Sequence, residues 1–263
     1  MLSRLLDILD FKERRWAKLR ARPFPLEWVL ILERNVSAYA ALTADEKERL
    51  HQHINVFLHE KRFEGVEGLE ITDEIRVTIA AQACLLILNR PTRYYPTLSS
   101  IIVYPRGYLV RGAQMRRPDG TIIEGDSHRL GESWHRGNVV LSWDDVRHGA
   151  ADADDGRNVA LHEFAHQLDG EYLGVEGAPL LHDRGMYTAW ARVLGAEYAK
   201  LVEDVDEQRR TMLGSYAATN PAEFFAVATE LFFERPRQLK ERHPELYEQL
   251  RLCYGQDPAG SEV

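Results

Sequence analysis

The stretch NVALHEFAHQLDG, residues 158–170, sets two histidines four residues apart with a glutamate beside the first. At about 100° per residue, His162 and His166 fall about 40° apart and one turn along a helix, so both imidazoles reach a common point. Leu161, Phe164 and Leu168 make an apolar stripe on roughly the opposite side. Such a helix packs by one face and gathers polar groups on the other. Asp155 or Asn158 is placed to cap its start and Gly170 to end it.

Neutral imidazoles and carboxylates bind zinc, and a catalytic zinc keeps one position for water. Glu163 is rotated about 100° from His162, too far round to be an ideal ligand but within reach of that water. This is the His-Glu-x-x-His arrangement of metallopeptidases, with the glutamate as general base. With ten histidines in the chain, the five-residue pattern alone is open to chance. The caps and the apolar back set it apart from a helix that merely solvates its histidines.

Two histidines do not hold a catalytic zinc, so a third ligand is needed. Asp169 lies on the stripe of His162 but one further turn along, where it is placed to accept the second N–H of a ligand histidine. His182, in PLLHDRG, falls in a loop-like region. The better ground is SYAATNPAEFFAVATELFFERP, residues 215–236. Asn220 and Pro221 open a helix there, and Phe224, Phe225, Val227, Leu231 and Phe232 bury it. Glu223 and Glu230 share one face of that apolar helix, and a buried carboxylate needs a partner such as a metal. Glu223 is also the third residue after the Asn220 cap, where a glutamate caps the backbone by itself. On these residues alone ligation and capping are evenly matched, and Glu230 stands as the alternative ligand or a supporting group.

Around this pair of helices the chain reads as α+β. Residues 26–60 predict two helices, the second opened by a capping box of Thr43 and Glu46. A helix starting near Thr72, in TDEIRVTIAAQACLLILN, is apolar almost all round and belongs at the centre of a core. The short β-rich runs SSIIVYP, GYLVRG, GTIIEG and NVVLSWDDV follow, separated by the turn signals RRPDG and HRLGESWHRG. Helical text resumes near 155. No segment reads as a linker, so a single unit is expected over 1–263: a helical part over 1–95, a small mixed sheet over 96–150, and catalytic and C-terminal helices over 151–263.

Composition narrows the class further. The chain has 263 residues, 44% hydrophobic and 28% charged, enough for a substantial core. A net charge of −8 argues against direct nucleic-acid binding through a broad basic surface. The basic cluster from Lys12 to Arg22 is expected to be a solvated helix face. Asp7 and Asp10 interrupt the N-terminal apolar residues, so no secretory signal is read, and no run is long enough for a membrane span. Cys84 and Cys253 lack metal or redox spacing, which suits a reducing cytoplasm.

The segments LTADEKERL, KRFEGVEGLEITDEIRVTIAAQACLLILN, VVLSWDDV, LHEFAHQLD and NPAEFFAVATELFFERP together resemble the Mlc titration factor A family of bacterial zinc metallopeptidases, of gluzincin type. The resemblance covers nearly the whole chain, and the catalytic helix is also similar to that of the anthrax lethal factor peptidase domain. It implies a zincin-like fold with one Zn2+ held by His162, His166 and Glu223, and Glu163 as base. It points to Tyr216 as a phenol facing the site, although the residue by itself reads as an ordinary tyrosine near a helix start. It further implies aminopeptidase-type activity on a peptide substrate, and binding of the glucose repressor Mlc with an effect on sugar phosphotransferase gene expression. A protein that only sequesters the repressor, with a structural or vestigial zinc, is the rival reading. A bound peptide is expected to extend a sheet edge formed somewhere between residues 100 and 143.

Overall fold

Four helices lead into the sheet: α1 (Leu2–Arg20), α2 (Leu26–Asn35), the single turn α3 (Ser37–Ala40) and α4 (Ala44–Glu60). These come from a computed structural model of the chain, which describes residues 2–116, 122–129, 131–134, 137–152, 155–171, 177–181 and 183–260. The two helices expected over 26–60 are present, with α3 between them. Thr43 opens α4 through the expected capping box, its hydroxyl accepting the Glu46 N–H while the Glu46 carboxylate accepts the Thr43 N–H. In the basic cluster, Lys12 and Arg15 both pair with Glu60, which ties α1 to the end of α4.

A four-residue strand, β1 (Arg62–Gly65), separates α4 from α5 (Asp73–Leu86). Thr72 caps α5, and every residue from Val77 to Leu86 is buried, as an all-round apolar helix requires. The strands β2 (Ser100–Tyr104), β3 (Tyr108–Arg116), β4 (Ile122–Arg129), β5 (Gly131–Trp134) and β6 (Asn138–Ser142) follow. They form a mixed sheet in the order β1-β2-β6-β5 and a separate β3-β4 hairpin. The first three strands of that sheet run parallel, with Phe63 opposite Ile101 and Ile101 opposite Val139; β5 is antiparallel to β6.

Two strands fall where none was expected. β1 lies within the first 95 residues, and β5 lies in the segment HRLGESWHRG that reads as a turn. The side chains of β1 are exposed or half-buried, so it carries no apolar alternation and takes its place through backbone pairing with β2. The turn expected at residues 117–120 and His182 lie outside the described residues.

Beyond the sheet come α6 (Trp143–Ala151), α7 (Val159–Asp169), α8 (Met186–Asp206), a 3₁₀ turn at Tyr216–Ala218, α9 (Pro221–Glu234), α10 (Pro236–Arg242) and α11 (Pro244–Tyr254). The last three each start on a proline, which suits a position with no N–H to satisfy. Buried side chains from Trp16 to Tyr254 make one continuous cluster, with α5 packed against α2, α4, α6 and α7. Phe164 of α7 enters it between Phe57 and Tyr95, with ring centroids 5.8 and 5.3 Å away. The apolar stripe of α7 thus faces the core, and α7 also packs against α9 and β5. Cys84 and Cys253 are buried free thiols, and no helix among the described residues is long and apolar enough to cross a membrane.

Candidate metal centre

The two helices that supply the site start in the same way. Asn158, extended at φ −140°, accepts the Leu161 N–H at 3.0 Å, so it and not Asp155 caps α7. Asp155 instead accepts the Arg157 N–H. Asn220 accepts the Glu223 N–H at 2.9 Å and caps α9. Glu223 does not turn back to complete a capping box; its carboxylate points to α7.

Three donor atoms converge where α7 meets α9. His162 Nε2 is 3.0 Å from Glu223 Oε2, His166 Nε2 is 3.4 Å from the same oxygen, and the two Nε2 atoms are 3.2 Å apart. The three side chains are 12%, 11% and 18% exposed, so the point they surround is shielded but reachable. On the far side of the His162 ring, Nδ1 lies 2.7 Å from Glu230 Oε1. Two carboxylates seven residues apart on α9 therefore bracket one imidazole.

This donor set asks for a cation. A carboxylate only accepts, so a neutral His162 ring with its proton on Nδ1 toward Glu230 would present the Nε2 lone pair to Glu223. That lone pair faces a carboxylate oxygen and the nitrogen of a second imidazole, an arrangement that repels unless positive charge lies among the three. Ligands about 2.0–2.1 Å from a tetrahedral zinc stand about 3.3 Å from one another, which the observed 3.0–3.4 Å matches. That positive charge is either a metal ion or, without one, a second proton on the ring. Burial by itself lowers His162, but hydrogen bonds to Glu223 and Glu230 outweigh it and raise the imidazole well above its usual range. Burial raises Glu223, but the bonds from His162 and His166 hold it well below the usual carboxylate range. His162, His166 and Glu223 fit a metal ion by position and by chemistry.

The other expected residues fall into place unequally. Glu163 is 5% exposed on the same helix. Tyr216 stands on the 3₁₀ turn before α9, its ring 6.0 Å from that of His162 and 57% exposed. Asp169, expected to accept an imidazole N–H, accepts the N–H groups of Gly177 and Ala178 at 2.8 and 2.7 Å. The crossing of the helices brings Glu230 of α9 to Nδ1 of His162, while Asp169 sits at the end of α7. His166 Nδ1 has no hydrogen-bond partner among the described residues. Gly177 in turn sits at φ +77°, close enough to α9 that a Cβ there would lie 2.5 Å from the Pro221 carbonyl oxygen. Its own carbonyl accepts the Trp190 indole N–H at 3.0 Å.

Glu234 was not foreseen. It is 5% exposed, and its Oε1 accepts from Asn158 Nδ2 at 3.0 Å. Burial pushes its carboxyl up to about 8, against that hydrogen bond and with Asp155, Glu230 and Asp152 adding to the rise. The signal was available: Glu234 lies one turn beyond Glu230 on the same face of an apolar helix.

Two helices whose side chains could hold a metal ion, set on a small mixed sheet, are consistent with a metallopeptidase, and comparison agrees. Residues 10–255 match the family described as glucose-regulated metallo-peptidase M90, and the chain belongs to that family. An uncharacterized protein of Synechocystis sp. is 40% identical over 252 residues, covering 95% of this chain and 90% of its own. Mlc titration factor A of Yersinia pestis (strain Pestoides F) is 30% identical over 230 residues, covering 85% of this chain and 83% of its own. The protein of that name from Yersinia pseudotuberculosis (serotype O:3) matches to the same extent.

Proposed function

We propose that the chain is a zinc-dependent peptidase of zincin-like fold, working as one unit, with His162, His166 and Glu223 as the metal ligands. The observation that carries this is the convergence of their three donor atoms at the spacing of a tetrahedral site. Zinc held there supplies a Lewis acid that polarises a scissile carbonyl and makes its water more acidic. The Glu163 carboxylate takes the proton of the attacking water and delivers it to the leaving amine. The Tyr216 hydroxyl donates a hydrogen bond to the oxyanion that develops on the carbonyl. Glu230 holds the His162 proton on Nδ1, so that Nε2 stays a lone-pair donor.

The substrate is a peptide in extended form, with aminopeptidase-type cleavage taken from the family resemblance. It pairs with β5, which ends the sheet order and packs against α7. The likeness to Mlc titration factor A supports a second activity, binding of Mlc; that Mlc is a glucose repressor and that its capture affects sugar phosphotransferase gene expression are taken from the family resemblance. Both activities belong to the cytoplasm, where the unpaired thiols of Cys84 and Cys253 stay reduced.

The test separates the two. Glu163→Gln is expected to keep its zinc, lose peptide hydrolysis by about 10²–10⁴-fold, the worth of a general base, and still bind the repressor. Undiminished hydrolysis of a peptide library by that variant would overturn the mechanism. Loss of repressor binding would join the two activities in one.

A further inference from the structure

Asn158 does more than a helix cap requires. It is 2% exposed, and each of its polar groups is engaged. Its Oδ1 caps α7 through Leu161, and its carbonyl accepts the His162 N–H at 2.9 Å. Its backbone N–H donates to Glu230 Oε2 at 2.7 Å, the carboxylate whose other oxygen holds His162 Nδ1. Its side-chain amide, with two protons, faces three acceptors: Glu234 Oε1 at 3.0 Å, the Gly149 carbonyl at 3.1 Å and Gln82 Oε1 at 3.2 Å. Those belong to α9, α6 and α5. Gly149 makes the approach possible, since a Cβ there would lie 2.9 Å from the Asn158 Cα.

We infer that Asn158 is a positioning residue for the metal centre, fixing through Glu230 the orientation and tautomer of His162, and that this role belongs to its side-chain amide and not to its cap. This rests on the zinc site proposed above. The amide protons lock the Asn158 backbone against α5, α6 and α9; that backbone aims its N–H at Glu230, and Glu230 aims the imidazole. Aspartate would cap α7 as well as asparagine does, but it would turn a third carboxylate toward Glu234 and Glu230 and remove the donor that Asn158 offers the Gly149 carbonyl.

The experiment compares Asn158→Asp, Asn158→Ser and the double variant Asn158→Asp with Glu234→Gln, each as the full chain, by zinc competition against a chromophoric chelator and by thermal melting. Both single variants keep a capping oxygen and are expected to bind zinc about 10- to 100-fold more weakly, the usual cost of losing an outer partner of a metal ligand. The double variant restores a donor–acceptor pair, with the amide now on residue 234, and is expected to recover most of that loss. A residue that only caps the helix would leave zinc affinity unchanged in Asn158→Asp, and that result overturns the inference. Should Asn158→Asp not fold, Asn158→Ser reads the same loss without the added charge, and wild-type affinity there is equally fatal. A wild-type chain that binds no zinc would instead overturn the site itself.

Discussion

The pairing of His162 with His166 is legible because a helix repeats every 3.6 residues, and four residues of spacing already put two imidazoles on one face. Glu223 was not legible in that way. A glutamate three residues after a cap satisfies capping and ligation alike, and only the family text favoured ligation. In the fold its carboxylate turns to both imidazoles. Which carboxylate meets His162 Nδ1 depends on how α9 crosses α7, and that carboxylate is Glu230, while Asp169 accepts from Gly177 and Ala178. Tyr216 is the residue whose role most needs a measurement. Its ring is near His162 but 57% exposed, so water competes for the same oxyanion. Tyr216→Phe is expected to lower kcat by no more than about 10²-fold, the low end for an oxyanion donor, with zinc content unchanged. An unaffected kcat would remove Tyr216 from the mechanism.

Among the elements, the helices were legible from caps and periodicity, and β1 and β5 were not. Both have only four residues, and the exposed side chains of β1 leave no apolar signature; its register comes from β2. The seating of α9 on α7 also escapes the sequence, because it depends on a close approach. Gly177, anchored by Asp169, has a positive φ and touches Pro221, two residues before Glu223. Gly177→Ala must push the start of α9 outward, so it is expected to lower stability by about 1–3 kcal/mol from backbone strain and to weaken zinc binding. Melting and zinc competition check both, and unchanged values in the two would break the link between this turn and Glu223. At the other end of α9, Glu234 retains its proton in the folded chain up to about pH 8, against 4.5 for an unperturbed glutamate. Between those values the folded state binds more protons than the unfolded one, so stability falls as pH rises from about 4.5 to about 8 and then levels off. Glu234→Gln removes that slope. In urea unfolding of EDTA-treated protein, its gain over wild type should grow from pH 5 to pH 8; a constant difference would contradict this.

At the scale of the molecule, the sequence order of helices, small sheet and helices is the order found, and the apolar α5 lies where its composition demanded. What that arrangement achieves is to press the polar face of α7 against a mostly apolar helix whose three carboxylates, Glu223, Glu230 and Glu234, share one side. A core that large tolerates three half-buried or buried carboxylates only if they are hydrogen-bonded or hold a cation. Glu230 accepts from the Asn158 N–H and meets His162 Nδ1, and Glu234 accepts from the Asn158 amide through Oε1; Glu223 faces two imidazoles. The most direct measurement is therefore zinc stoichiometry in the purified wild-type chain and in Glu223→Ala. One zinc per chain in the wild type and a marked loss of affinity in Glu223→Ala are expected. A Glu223→Ala chain that holds a full equivalent of zinc as tightly as the wild type would contradict the site built from His162, His166 and Glu223.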